Sequence, residues 1–93
     1  MSTTSPQSAT LANVASSASS VTVFAASGAV KGRTVYNDSS AILYLKFGTT
    51  ASTTSYTVQL AAGAYYEFPQ PAFGGRVDGI WASANGAARV TSW

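Results

Sequence analysis

From Val21 to Trp93, short runs of β-branched and aromatic residues alternate with clusters of Gly, Asn, Asp, Ser and Pro. That texture constrains the chain more than any other feature, because it suits short strands joined by turns and suits little else. The candidate strands are Val21–Ala25, Arg33–Asn37, Ile42–Phe47, Tyr56–Leu60, Tyr65–Phe68, Val77–Ala82 and Ala88–Trp93. Side chains alternate across a strand. Leu43, Leu45 and Phe47 therefore share one face, and Ile42, Tyr44 and Lys46 the wetter one. Tyr56, Val58 and Leu60 form a half-buried row; Tyr66 and Phe68 face away from Tyr65 and Glu67. Val77 and Ile80 are both expected inward, which requires an extra residue between them, and Gly79 is the natural bulge. Asn37-Asp-Ser-Ser40 supplies turn chemistry. Pro69–Gly75 reads as a loop, because prolines lack ladder donors. Asn85-Gly86 reads as a type I′ hairpin turn. About seven strands at roughly ten-residue spacing predict an all-β fold: one small antiparallel β-sandwich, jelly-roll or Ig-like. No helix is expected. Ala12–Ala18 has helical composition, but it lacks a stripe of large apolar residues and is too short to stand alone.

Residues 1–20 differ. They are almost entirely Ser, Thr and Ala, with Leu11 and Val14 the large aliphatics besides Met1. Such a segment buries too little apolar area to offset its ordering entropy. The expected organisation is an extended N-terminal arm over residues 1–20 and a β-sandwich domain over 21–93. The arm is ordered only if another chain, or the domain's own edge, holds it.

The inventory removes most chemistry. Among 93 residues there is no Cys and no His, so no disulfide framework, zinc site, Ser-His-Asp triad or Cys-His dyad can be written. The carboxylates are Asp38, Glu67 and Asp78. A glycosidase would need two of them converging across a sugar. Salt bridges to Lys46, Arg76 or Arg89, or a turn role for Asp38, are the readier use. No catalytic, cofactor-binding or metal-ligating residue is expected. Lys31, Arg33, Lys46, Arg76 and Arg89 are scattered rather than banded, which argues against nucleic acid. No apolar run is long enough to span a bilayer, and the N-terminus does not read as a signal peptide.

Only 9% of residues are charged, where surfaces of solitary domains carry roughly a quarter. Hydroxyls and alanine methyls are cheap to desolvate. A core of roughly 70 residues seldom suffices without disulfides, metals or self-association. Both features favour a domain completed by neighbours.

The succession Arg33-Thr-Val-Tyr-Asn-Asp-Ser-Ser40, Leu43-Tyr-Leu-Lys-Phe-Gly48, Tyr65-Tyr-Glu-Phe-Pro69 and Gly75-Arg-Val-Asp-Gly-Ile-Trp-Ala-Ser-Ala-Asn-Gly86 resembles small structural proteins of tailed bacteriophages. The resemblance implies a non-enzymatic virion component, foremost a capsid decoration (cement) protein on the capsid surface, assembled in the host cytoplasm. It implies the major capsid protein as partner, and self-association as a homotrimer. Leu11, Asn13 and Val14 would then touch the shell, and Tyr65, Phe73 and Trp81 a sister subunit. A head-fibre or tail module is the neighbouring alternative. A carbohydrate-binding module is another, with Trp81, Trp93, Tyr36, Tyr44, Tyr56, Tyr65 and Tyr66 as candidate stacking rings.

Overall fold

The computed structural model describes residues 6–93, all of them in strands and loops. The strands are β1 (Thr10–Ala15), β2 (Val21–Phe24), β3 (Arg33–Asp38), β4 (Leu43–Phe47), β5 (Val58–Leu60), β6 (Tyr65–Glu67), β7 (Val77–Trp81) and β8 (Ala87–Ser92). They form two four-stranded antiparallel sheets, ordered β1-β8-β3-β6 and β2-β7-β4-β5. The pairs β1·β8, β2·β7, β3·β6 and β4·β5 nest inside one another. This is one long hairpin, its midpoint between β4 and β5, rolled until its halves share two sheets. That topology is the jelly roll, so of the two sandwich types expected, the chain adopts the first.

The inner faces supply the core: Val35, Leu43, Leu45, Phe68, Val77, Trp81, Ala88 and Val90 are all buried. At one end the aromatic rings run together. Phe47 stacks on Phe68 and on Phe73, each at 4.8 Å between centroids, and Phe24 meets Phe68 edge-on at 5.6 Å. Such offset and edge-to-face contacts are the favoured arrangements for aromatic pairs.

Several local expectations change. Within the extended arm expected over residues 1–20, Thr10–Ala15 form a full strand, and of the two holders expected the domain's own edge is the one that orders them. Each residue from Thr10 to Ala15 has a partner on β8, from Ser92 to Ala87. Backbone bonds rather than side chains order this segment, since Leu11 remains 75% exposed. The first five residues of the expected arm lie outside the described residues. β7 has no bulge at Gly79: it pairs with β4 without interruption, Val77 and Trp81 point inward and Ile80 outward. The irregularity sits opposite, in β2 between Thr22 and Phe24, and it lets the consecutive Val23 and Phe24 both be buried. Tyr56 does not continue the β5 row; its ring lies 5.0 Å from that of Tyr44 on the outer face. Asn85-Gly86 is not a type I′ turn, because only Gly86 has positive φ, at 73°. Asn85 instead accepts hydrogen bonds from the Ser40 backbone N–H and hydroxyl.

Candidate functional site

β3 turns an unexpected face to the interior. Arg33, Val35 and Asn37 are its inward residues, so a buried polar group stands at each end. Asn37 Nδ2 donates to the carbonyls of Ala41, Leu60 and Ala61 at 2.8–3.1 Å. Its Oδ1 accepts from the Ser39 hydroxyl and from Trp81 Nε1. One amide thereby gathers the β3–β4 and β5–β6 loops and the largest core ring. Asn37 is thus a buried tie rather than a turn residue.

Arg33 does the same at the opposite end. Nη1 donates to the carbonyls of Phe73 and Gly75 at 2.7 and 2.8 Å, and Nη2 to that of Ala25 at 2.7 Å. The guanidinium lies 4.7 Å from the centre of the Phe24 ring. Burial without a carboxylate partner pushes it below the ordinary arginine range. Neither tie was legible as such, because Arg and Asn at inward positions look like solvent-facing residues when the strand is read alone.

The carboxylates are dispersed. Asp38 bonds Arg89 across the first sheet at 2.9 Å, with both partners half-exposed. Asp78 is buried, takes Arg76 Nε at 2.8 Å and accepts from the Ser20 hydroxyl. Glu67 is exposed on β6. Among the described residues no three Asp, Glu, His or Cys side chains come together.

The residues expected at a subunit contact part company. Trp81 is only 1% exposed and its indole N–H is spent on Asn37, so it cannot present its ring to another chain. Phe73 is half-buried, stacked on Phe47. Tyr65 is exposed, directly opposite the exposed Tyr36. Register extends that pair into a transverse row over the outer face of the first sheet: Asn13, Arg89, Tyr36, Tyr65.

The residues expected at the shell contact lie on β1 and divide between its two faces. Leu11 and Asn13 are exposed on the outer face, and Val14 turns inward against the core. The phase of the ladder follows from its continuation: Ser16 N–H donates to Gly86 O, in register with the pairs Thr10↔Ser92 through Ala15↔Ala87. Antiparallel strands alternate between bonded and non-bonded residues. The even residues of β1 therefore bond β8, while Leu11, Asn13 and Ala15 aim their N–H and C=O groups away from the sheet.

Natural sheets guard such edges with brevity, charge, proline or bulges. Three of the four edges here are guarded. β5 and β6 have three residues each, β6 contains Glu67 with Pro69 just beyond, and β2 is bulged. β1 has six residues in unbroken register, uncharged and free of proline and glycine.

No family model, curated protein or solved structure matches the chain.

Proposed function

We propose that the chain is a non-enzymatic structural protein of a bacteriophage virion: a capsid decoration protein that binds and stabilises the shell of major capsid protein. The observation that carries this reading is the unguarded edge of β1. A long, neutral, regular edge with an exposed leucine is kept where another polypeptide is meant to meet it. The sparse surface charge agrees, since few ions must be stripped of water when this skin is covered. Many copies on one lattice would turn a weak single contact into firm attachment. Residues 1–20, with Leu11 and Asn13 on the outer face, are the shell-facing segment.

The test is co-sedimentation with phage particles from the lysate that carries the gene. Saturable binding by the full chain, lost with Leu11→Asp, which leaves the pairing of β1 with β8 in place, is expected. Undiminished binding by that variant, or absence of the chain from purified particles, overturns the reading. Antibody labelling on a tail or fibre rather than the shell would relocate the protein within the particle and overturn the decoration role.

A second reading has its own observation. Tyr36 and Tyr65 are exposed neighbours beside the Arg89–Asp38 pair, an arrangement of ring and planar polar groups suited to a sugar. Glycan-array binding abolished by Tyr65→Ala, with the fold intact, would support it; no binding by the full chain would remove it.

A further inference from the structure

We infer that the free edge of β1 is filled by β1 of a second copy, related by a two-fold axis passing beside Asn13, so that two first sheets join into one. The inference rests on the decoration reading: the edge's backbone groups go to a second copy, and the outer face of the joined sheet, with Leu11 and Asn13, is left to the shell.

The outward backbone groups belong to Leu11, Asn13 and Ala15, a set symmetric about Asn13. In an antiparallel pair, mutually bonded residues recur at every second position. A two-fold beside Asn13 therefore sets Asn13 against the partner's Asn13, Leu11 against the partner's Ala15, and Ala15 against the partner's Leu11. All the outward N–H and C=O groups of the strand are then satisfied in a single register. Shifting the axis by one residue, to Ala12, leaves Ala15 without a partner on β1.

Side chains agree with this register. A two-fold perpendicular to the sheet keeps outer face with outer face, so Leu11, 75% exposed, packs beside a small alanine. β1 carries no ionisable residue, and no like charges oppose one another across the axis. Arg89, next inward from Asn13, already has Asp38 as its counter-ion.

Symmetry also limits growth. An isologous contact is self-complementary and closes with two copies. The joined sheet ends at β6 on both sides, where three residues, Glu67 and Pro69 resist further pairing. A ring of three would have to pair β1 with a different edge, and every other edge is guarded. The geometry favours a dimer over the trimer implied by the phage resemblance.

The chain has no cysteine, so single introduced thiols read the register directly. Across the proposed axis the two Asn13 Cα atoms would stand about 5.5 Å apart, within disulfide reach. The two Leu11 Cα atoms would stand roughly 14 Å apart, beyond it. Under mild oxidation, Asn13→Cys is expected to cross-link in solution and Leu11→Cys to remain free of the cross-link. The uncross-linked full chain should show a dimer fraction that rises with concentration in sedimentation velocity. Asn13→Pro, which removes an outward N–H and leaves the bonds to β8 in place, should weaken that association about tenfold or more. A chain that stays monomeric throughout, or cross-linking through residue 11 in place of 13, overturns the inference. Particle binding by a chain that never dimerises would sink this inference and leave the decoration role standing. Dimers that ignore particles would do the reverse.

Discussion

Arg33 and Asn37 occupy the two ends of one strand and hold opposite ends of the sandwich. Each draws loop carbonyls into hydrogen bonds with a buried side chain, and an unpaired buried group costs more than a made bond returns. Asn37→Ala strips a shared donor from three carbonyls and leaves the Trp81 indole N–H without its acceptor, while Ala41 O and Ala61 O keep the bonds from the Ser39 hydroxyl and the Ala64 N–H. We expect a loss of about 2 kcal/mol or more, read from the urea midpoint at unchanged slope. Arg33→Lys keeps the charge but not the planar fork that reaches Phe73, Gly75 and Ala25. A loss of about 2 kcal/mol or more is expected from the same measurement. Both residues escape a reading from sequence for one reason. Alternation fixes which side chains share a face, but it does not say which face is inside. Arg33 and Asn37 look like the wet side of β3 until the loops they bind are placed.

The strands themselves were far more legible. Each run of alternating or β-branched residues between Val21 and Trp93 became a strand within two residues of its expected ends. Turn chemistry transferred less well. Asn85-Gly86 carries a hairpin signature, yet the asparagine serves the neighbouring β3–β4 loop, and the glycine alone takes the left-handed backbone. β1 left no trace in hydropathy, because its order comes from main-chain pairing with a strand at the far end of the chain. Leu11, Asn13 and Val14 are singled out by the phage resemblance alone; the unguarded edge that unites Leu11 and Asn13 emerges only from the register.

Two glycines test the turns. Gly63 has φ of 78° with open space around it, while Gly86 has φ of 73° and lies against Asp38 and Ser39. Gly63→Ala should cost about 1 kcal/mol from backbone strain alone. Gly86→Ala should cost clearly more, because a methyl there must also displace main-chain atoms. Thermal melts of the two variants side by side decide the order. For β1, removal of residues 1–9 should leave the melting temperature nearly unchanged. Removal of residues 1–15 uncovers the edge of β8 and the half-buried Val14 site. That variant should melt lower and aggregate at concentrations where the full chain stays clear.

At the scale of the molecule, the nested topology makes every pairing outside the innermost hairpin a long-range one. Closing such loops costs entropy before contacts return it, so refolding should be slow for so small a domain, in milliseconds to seconds. A fragment ending near Phe47 contains β1 to β4, none of which pair with one another, and by circular dichroism it should be unfolded. Only two ion pairs are formed among the described residues, and just one of them has both partners half-exposed. Stability should therefore respond little to salt, with a melting shift of no more than about 2 °C between low and moderate ionic strength.

Thr10 stands directly across from Ser92, so the polypeptide enters and leaves the sandwich side by side. A unit wired this way can be spliced whole into a surface loop of a larger protein, its two junctions a strand's width apart, without stretching the recipient. For the same reason Thr10 and Ser92 can be bridged by a short linker and the chain reopened elsewhere, the long β4–β5 connection being the natural place to cut.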